Sequence, residues 1–412
     1  MKMTLSAALA CLLAFGAQAV TIIPGANIQE TVQEALILAE EGDVIEFAAG
    51  TYEFTMGLSL DVDNVTIRGA GHDKTILSFK NQDAGSEGLM ITSSGVALED
   101  FAVEDTVGDA IKIKGAKGIT CLRVRTEWTR GPHETNGAYG FYPVASSDVL
   151  IDGCIVKGAS DAGVYVGQST NIIVRNCLVQ YNVAGIEIEN CYYADVYDNE
   201  TSHNTGGILV FDMPNLPQMR GHHVRIFNNK VINNDTKNFA PEGNIVGLVP
   251  TGTGLMVMAN EYVEVFGNHF DGNGTANVII RAFYQNTKKK VDATMNVYPE
   301  AIYVHDNTFG TGGFKPMGMR GEMYTDAAGR DTLPDIVWDG MVNPGKAVNG
   351  KLPKELGIYL KNNGDADYIN LDLTPWWNDK NSNKPTSDIK ELAGELPALP
   401  AISIPGDRES TD

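Results

Sequence analysis

Short stretches of alternating apolar and polar residues recur along the chain, each followed within a few residues by Asn, Asp or Gly. Successive stretches begin 23, 30, 23, 22, 30, 39 and 39 residues apart, and the repeat contains no amphipathic helical pattern. A unit of about 22 residues built from short strands is typical of a parallel β-helix, whose coils stack about 4.8 Å apart. The eight stretches begin at Val96, Ile119, Val149, Ile172, Ala194, Val224, Val263 and Ile302.

One position of this repeat carries Asn in four consecutive coils. Equivalent positions of a solenoid lie on top of one another, so these side chains should stack. Stacked amides in a tight turn can bond the amide and the backbone of the next coil, which satisfies polar groups that would otherwise be buried unpaired. The predicted ladder consists of Asn199, Asn229, Asn268 and Asn307.

A second strand of each coil begins with a small residue and then alternates, as in Gly163-Val164-Tyr165. Because successive side chains of a strand point to opposite faces, the residue after the small one should point into the core and the next one outward. We call the outward positions the outward row. They are Lys112, Tyr142, Tyr165, Glu187, Leu209 and Met256.

These patterns predict an all-β fold, a right-handed, single-stranded parallel β-helix over residues 20–377, with regular coils over 62–309 and irregular closing coils over 310–377. Residues 26–41 have apolar residues at helical spacing and end at Gly42, which predicts a helix that caps the open end of the β-helix. Its apolar positions are Ile28, Val32, Leu36 and Ile37. Residues 378–412 are rich in Pro, Asn, Ser and Asp, which predicts a poorly ordered tail.

The first 19 residues combine Lys2, an apolar run and Ala17-Gln18-Ala19, which predicts a secretory signal peptide and a periplasmic or secreted protein. No later stretch is long and apolar enough to span a membrane. The remaining cysteines would meet an oxidising compartment, yet parallel side chains in a stack are poorly aimed for a bridge, so we favour buried thiols and leave a Cys154–Cys177 disulfide open. The cysteines are Cys121, Cys154, Cys177 and Cys191.

The formal net charge is −21, from 52 acidic and 31 basic residues. This surplus argues against binding to nucleic acid or to anionic lipid. It is compatible with solubility alone or with carboxylates that bind a divalent cation such as Ca²⁺.

The outward row mixes aromatic, basic and acidic residues, which a purely structural sheet face does not require. Aromatic rings cover the apolar faces of sugars while carboxylates and amides bond their hydroxyls, so we expect a polysaccharide to bind here. Candidate catalytic residues of the row are Tyr165, Glu187 and Lys112. Candidate substrate-binding residues are Tyr142, Gln168, Asn190, Glu189 and Asp212. Candidate ligands of a metal, with Ca²⁺ the expected ion, are Asp161, Glu189 and Asp212.

A loop between the strands, residues 128–138, should reach the edge of the same face. It adds Trp128 as a candidate substrate-binding residue and His133 as a candidate acid or base. A solvated loop histidine is the alternative interpretation of His133.

Several runs resemble the bacterial exported parallel β-helix-repeat proteins over about residues 22–307. They include NGAYGFYPV, ASDAGVYVGQS, NVAGIEIEN, NTGGILVFDMP and NFAPEGNIV. More distantly, the fold is similar to pectate lyases, mannuronan C5-epimerases and the nitrous-oxide reductase accessory protein. The Asp-Pro-His-Asp motif of the epimerases has its nearest counterpart at Gly131-Pro132-His133-Glu134, which lacks the first Asp.

Two hypotheses follow. The first is an exported enzyme, a lyase or epimerase, that acts on an acidic polysaccharide along the outward row. The second is a non-catalytic module that binds a glycan or a periplasmic protein partner, and the resemblance to the accessory protein implies a role in assisting a periplasmic metalloenzyme. The fold alone does not separate them.

Overall fold

A computed structural model describes residues 19–284, 292, 294–349, 351–376, 379–380 and 382–407. The chain winds as a parallel β-helix, as the repeat predicts, and each named strand pairs in parallel with its counterpart in the next coil. The predicted signal peptide, residues 1–19, lies outside the described residues except for Ala19.

Three sheets run along the β-helix, and we call them A, B and C. Sheet A contains β1 (Ala19–Ile22), β2 (Val44–Phe47), β5 (Thr66–Arg68), β8 (Ala97–Glu99), β11 (Lys117–Leu122), β14 (Ser147–Asp152), β17 (Thr170–Arg175), β20 (Tyr192–Tyr197), β23 (His222–Phe227), β26 (Glu261–Phe266), β29 (Glu300–His305) and β32 (Ile358–Lys361). Sheet B contains β3 (Gly50–Glu53), β6 (Thr75–Ser78), β9 (Ala102–Glu104), β12 (Arg125–Glu127), β15 (Ile155–Lys157), β18 (Leu178–Gln180), β21 (Glu200–Ser202), β24 (Lys230–Ile232), β27 (His269–Asp271) and β30 (Thr308–Phe309). Sheet C contains β4 (Met56–Leu60), β7 (Ala84–Ile91), β10 (Ile111–Lys114), β13 (Tyr139–Val144), β16 (Ala162–Gly167), β19 (Ala184–Glu189), β22 (Gly206–Phe211), β25 (Thr253–Met258), β28 (Ala276–Arg281), β31 (Ile336–Trp338) and β33 (Tyr368–Asn370).

Helix α1 (Ile28–Leu38) lies at the N-terminal end, where the sequence predicts a cap. It buries Ile28, Val32 and Leu36, whereas Ile37, expected on the same apolar face, is exposed. The side-chain oxygens of Gln29 and Gln33 accept hydrogen bonds from backbone N–H groups at the start of β4 and within it. The helix therefore satisfies backbone donors of the terminal coil as well as covering its apolar interior.

The described chain also contains α2 (Gly318–Ala328), α3 (Leu373–Trp376) and three turns of 3₁₀-helix, at Ile245–Leu248, Lys354–Leu356 and Ile389–Leu392. Strands β31, β32 and β33 continue sheets A and C beyond the regular repeat, so the predicted closing coils are present. Within the described part of the chain, no helix combines the length and the apolar character that crossing a membrane requires.

The predicted Asn ladder is confirmed. Asn229 Nδ2 donates to Asn268 Oδ1 at 2.9 Å, and Asn229 Oδ1 accepts the backbone N–H of Asn199 at 3.1 Å. The same bonds continue through Asn307 to Asn363. A second ladder, which the sequence analysis missed, stacks Asn182, Asn204, Asn234 and Asn273.

The four described cysteines are free and buried, which confirms the expectation of thiols. Burial raises the pKa of Cys191 to about 12 and the pKa of Cys177 well above its ordinary value. Thiols in this state are poor nucleophiles, so their role is to fill the interior.

The prediction of a poorly ordered C-terminal tail is wrong for residues 399–407, which pack along the outer face of sheet A. Ile404 joins a small apolar cluster with Leu150 and Ile173. Asp407 accepts two hydrogen bonds from the Arg175 guanidinium, at 2.8 and 2.9 Å. The segment is ordered by apolar and basic side chains of sheet A, and its own composition gives no sign of these contacts.

Candidate functional site

The register of sheet C places the outward row in line, as predicted. Lys112 lies beside Tyr142, Tyr165 beside Glu187, and Leu209 beside both Glu187 and Met256. Neighbouring strands are about 4.8 Å apart, so the row is one continuous column of side chains.

The row is not exposed along its whole length. From Leu209 onward it belongs to an apolar cluster outside the β-helix core, and the loops after β22, β24 and β28 and helix α2 cover it. Its covering side chains include Met213, Val246, Val249, Met295 and Tyr324. The exposed part of the row is therefore its N-terminal part, around Lys112 and Tyr142, and Tyr165 and Glu187 lie at the buried border of this part.

Three tyrosine rings meet in this accessible part. The ring centroid of Tyr139 lies 4.5 Å from that of Tyr142 and 4.6 Å from that of Tyr165, and Tyr142 and Tyr165 are 5.0 Å apart. Such distances are typical of packed aromatic groups. Tyr139 and Tyr142 are half-buried, whereas Tyr165 is only 6% exposed. We call these rings with three neighbouring carboxyls the tyrosine–carboxyl cluster: Tyr139, Tyr142, Tyr165, Asp161, Glu187 and Glu189.

Tyr165 reaches across its own strand to bond a carboxyl of the next coil. Its hydroxyl donates to Glu189 Oε1 at 2.6 Å, and Gln168 Nε2 donates to the same hydroxyl at 3.2 Å. The ring lies over Gly167, where an added Cβ would be 2.4 Å from Tyr165 Oη. Gly167 is thus required by the position of the ring.

Two carboxyls of the cluster have strongly raised pKa values. Burial, together with the charge of Glu189, raises the pKa of Asp161 to about 7. Burial raises the pKa of Glu189 to about 7 as well, although the bond from Tyr165 opposes the shift. Groups with a pKa near the operating pH are suited to acid and base catalysis.

Glu187 is the most deeply buried acid of the cluster, with 4% of its surface exposed. Burial, followed by the charges of Glu189 and Asp161, raises its pKa well above the ordinary value. Among the described residues, Oε2 of Glu187 has no hydrogen-bond partner. We therefore expect Glu187 to be protonated at neutral pH, with a proton available to donate.

Lys112 provides positive charge at the open end of the cluster. Its Nζ lies 3.0 Å from Glu87 Oε1, 3.3 Å from Asp109 Oδ2 and 5.0 Å from the centre of the Tyr142 ring. The two carboxylates raise the pKa of Lys112, against the effect of burial, so the ammonium is charged at neutral pH. A charged Lys112 cannot be a general base, but it can attract an anionic group.

Three predicted substrate-binding residues are not available to a substrate, and these predictions are wrong. Trp128 is 2% exposed and lies in the core, where its Nε1 donates to the Thr106 carbonyl at 2.7 Å. Asn190 is fully buried, and its amide bonds the backbone at Met213 and Gln218. Trp128 thus fills part of the core, and Asn190 holds the backbone of the loop after β22 in place.

Asp212 is also buried, and its oxygens accept the backbone N–H groups of Arg220 and Gly221 at 3.0 and 2.9 Å. It holds the ends of the loop after β22 together, so its predicted role in substrate binding is wrong too. Within the described residues, no group of three or more His, Cys, Asp or Glu side chains is arranged to hold a metal ion. The predicted metal site of Asp161, Glu189 and Asp212 is therefore not formed.

His133 lies exposed in its loop, and its Nδ1 is 3.0 Å from Thr135 Oγ1. No hydrogen bond or ring contact among the described residues connects it to the tyrosine–carboxyl cluster. Its predicted catalytic role receives no support from this geometry. Of the other candidates, Lys112, Tyr142, Tyr165, Glu187, Glu189, Gln168 and Asp161 do come together.

Tyr139 is the main residue of the site that the sequence analysis missed. Strict alternation from Phe141 would point Tyr139 into the core. Gly140 also faces the interior, however, because an added Cβ there would lie 2.5 Å from Val156 Cγ1. Two consecutive residues therefore face inward, and the residue before the glycine faces outward. The small residue at the start of each strand could have indicated this, because a residue without a large side chain can face the interior beside its neighbour.

Comparison with known proteins agrees with this architecture. The family described as "Right handed beta helix region" matches residues 59–215. No curated protein sequence matches the chain. Among solved structures, the Azotobacter vinelandii mannuronan C-5 epimerase AlgE6 A-module is similar with 14% identity and a TM-score of 0.51, covering 82% of this chain and 90% of that one.

Two further similar structures are the A-module of the A. vinelandii mannuronan C-5 epimerase AlgE4 and an alginate lyase from Paenibacillus sp. str. FPU-7. The AlgE4 A-module has 13% identity and a TM-score of 0.46, and the match covers 82% of this chain and 89% of that one. The alginate lyase has 13% identity and a TM-score of 0.37, and the match covers 71% of this chain and 87% of that one. At these identities only the fold is informative. The fold of the AlgE6 A-module, the match over residues 59–215 and the three parallel sheets together show that this chain folds as a right-handed parallel β-helix.

Proposed function

We propose that this protein is exported and acts on an acidic polysaccharide at the tyrosine–carboxyl cluster, by removing the proton on C5 of a uronate residue. The observation that carries the proposal is the meeting of three tyrosines, three carboxyls with raised pKa values and Lys112 on one face. Abstraction of that proton is the first step of both a lyase and an epimerase.

The step needs the negative charge of the uronate to be offset, because a C5 proton beside a carboxylate is only weakly acidic. Lys112 can bind the carboxylate in exchange for one of its two acidic partners, Glu87 or Asp109, and the protonated Glu187, at the buried side of the cluster, can donate a hydrogen bond to it. These contacts strengthen as charge moves onto the carboxylate in the transition state, so they favour proton removal more than substrate binding.

Glu189 is the base in this scheme. A carboxylate with a pKa near 7 is a stronger base than an ordinary one, yet it is still deprotonated in a large fraction of molecules at neutral pH. The proton on C5 passes to Glu189, directly or through the Tyr165 hydroxyl that bonds it. In a lyase the bond between C4 and its oxygen then breaks, and the oxygen takes a proton from a tyrosine hydroxyl. In an epimerase a tyrosine hydroxyl on the other side of the sugar instead gives its proton to C5. In both cases the tyrosine regains a proton from solvent and Glu189 releases one, so the site returns to its starting state.

The choice of substrate class also follows from the tyrosine rings, which offer apolar edges and faces to a sugar. The fold shared with the mannuronan C-5 epimerase A-module makes uronate polymers the first class to test. The proposed export follows from the signal-like N-terminal sequence and brings the protein to a compartment where such polymers occur.

The test is incubation of the purified protein with alginate, pectin and related polymers, with and without Ca²⁺. A lyase produces a 4,5-unsaturated sugar that absorbs in the ultraviolet, and an epimerase incorporates deuterium at C5 in D₂O. Tyr165→Phe and Glu189→Gln should abolish either signal, whereas Tyr181→Phe, an exposed tyrosine outside the cluster, should preserve it. Absence of both signals across the panel contradicts the proposed reaction.

The alternative is a module that binds a glycan, or a periplasmic protein partner, without turnover. The low exposure of Tyr165 and Glu187 favours it, because a reacting sugar atom must approach both groups closely. Saturable binding of a polymer with neither product formation nor deuterium incorporation would support this second function.

A further inference from the structure

A second cluster of polar side chains lies under α2 on the C-terminal part of sheet C, apart from the tyrosine–carboxyl cluster. Arg281, at the end of β28, is 1% exposed, and its Nη2 has no hydrogen-bond partner among the described residues. Its guanidinium carbon lies 4.1 Å from the centre of the Tyr284 ring. A buried guanidinium with an unsatisfied N–H is costly unless a further group binds it.

A second arginine lies against the same ring. The guanidinium carbon of Arg320 is 5.5 Å from the centre of the Tyr284 ring. Burial and the nearby charge of Arg281 both lower the pKa of Arg320. Arg320 also occupies the first turn of α2, where the helix dipole disfavours a cation. The position of Arg320 is therefore unfavourable for two separate electrostatic reasons: repulsion by Arg281 and the dipole of α2.

The surrounding groups do not neutralise the pair completely. Asp339 is nearby, but its oxygens accept the backbone N–H groups of Ala282 and Met341 at 2.7 and 2.9 Å. Tyr324, one turn after Arg320 on α2, is fully buried, and its hydroxyl faces the Arg281 guanidinium but makes no hydrogen bond of normal geometry with any residue that the structure describes. The cluster therefore has two positive charges against one negative charge, and it has unused donors.

We propose that Arg281, Arg320 and Tyr324 form a binding site for an oxyanion, such as a carboxylate or a sulfate group. Guanidinium groups match the oxygens of such anions, and a tyrosine hydroxyl can donate a further bond. The anion would relieve the repulsion between the arginines and satisfy the N–H of Arg281. Arg320 is half-buried, which gives a ligand access from the side of α2. This site does not depend on the reaction proposed above.

Two sources of the oxyanion are distinguishable by experiment: a uronate residue of a glycan, or a free inorganic ion. The full protein is titrated with a uronate monosaccharide, a uronate oligosaccharide, sulfate or phosphate, against chloride at equal ionic strength. Thermal unfolding and calorimetry measure binding. Sulfate and phosphate stabilise proteins in general because they are excluded from the surface, so a specific site is indicated only by a saturable calorimetric isotherm, with thermal stabilisation that saturates at the same concentration.

Arg320→Gln should weaken this binding by about tenfold or more, the loss expected for a charged hydrogen bond. Arg330→Gln is the matched control, since Arg330 follows α2 and is exposed, and it should bind as the wild type does. Arg281→Lys keeps the charge but loses the guanidinium fork, and it should also bind weakly. Equal responses to all the anions and to chloride, or an unchanged affinity of Arg320→Gln, would overturn the proposal.

Discussion

The hydroxyl of Tyr165 donates a hydrogen bond of 2.6 Å to Oε1 of Glu189, one coil further along sheet C. This bond joins the ring that would contact a sugar to the carboxyl that would act as a base. The bond requires glycine at position 167, because the Tyr165 ring occupies the space in which a side chain of residue 167 would lie. The arrangement couples the position of an aromatic group to the charge of an acid, which leads to two predictions.

The stability of the folded protein should decrease as the pH rises through the pKa of Glu189. The folded pKa is about 7, whereas the ordinary value is 4.5, so the folded state retains a proton that the unfolded state releases first. Stabilisation is complete below about pH 4.5 and is lost as the pH rises through about 7, a change on the order of a few kcal/mol. Urea unfolding between about pH 4 and pH 8 measures it.

Glu189→Gln should flatten this dependence, because glutamine does not titrate. Asp161 keeps part of the slope, since its pKa is raised in the same direction. An exposed carboxyl, Glu355, provides the control, and Glu355→Gln should leave the slope as it is. An identical slope in the wild type and in Glu189→Gln would show that Glu189 has an ordinary pKa.

Gly167→Ala should move the Tyr165 ring without unfolding the protein. The added methyl would lie 2.4 Å from Cε1 and from the hydroxyl oxygen of Tyr165, so the ring must shift and its bond to Glu189 must break. We expect a changed near-ultraviolet circular dichroism signal and a loss of any turnover by about tenfold or more. Gly25→Ala is the control, because nothing lies within 4 Å of the added methyl there. A Gly167→Ala protein with the wild-type spectrum would mean that the ring has another position.

Asn229→Ala should be strongly destabilising. Its amide bonds Asn199 and Asn268, and its Nδ2 also donates to the Val196 carbonyl at 2.9 Å. Alanine would leave buried groups of both neighbouring coils unpaired, at a cost of about 2 kcal/mol or more. Asn228→Gly is the adjacent control, because Asn228 is exposed and has a positive φ that glycine tolerates. Denaturant unfolding compares the two, and equal losses would argue against the ladder as a source of stability.

The features that the sequence predicts are those that repeat. Asn199 and Asn229 occupy the same position of successive coils, so the period alone places one above the other. The same reasoning aligns Tyr165 with Glu187 before any side-chain contact is known. A stacked fold makes distant parts of the sequence equivalent, and register follows from counting residues.

The features that the sequence does not predict depend on segments outside the repeat. Trp128 begins a connection, between β12 and β13, that is longer than those in the neighbouring coils, and nothing in its sequence indicated that the ring turns into the core. The cover over Leu209 and Met256 comes from α2 and long loops, which carry no periodic signal. Tyr139 was missed because Gly140 faces the interior next to Phe141, which breaks the alternation that the prediction assumes.

The packed C-terminal segment provides the last prediction. Asp407 and Arg175 form a buried bidentate ion pair, and the backbone N–H groups of Leu399 and Ile402 donate to Glu264 and Asp195 on sheet A. Asp407→Asn should lower the free energy of unfolding by about 2 kcal/mol, a loss moderated because Arg175 keeps its bonds to Asp152 and Tyr197. It should also release the segment locally, because the ion pair holds its end.

Hydrogen exchange detected by mass spectrometry distinguishes the two effects, since local release speeds exchange at Leu399 and Ile402 before the sheets respond. Glu395→Gln is the control just before this segment, because Glu395 pairs with Lys361 at the exposed surface, where an ion pair contributes little. Exchange at Ile402 that is as slow in Asp407→Asn as in Glu395→Gln would show that the apolar contact of Ile404 with Leu150 and Ile173, rather than the ion pair, holds the segment on sheet A.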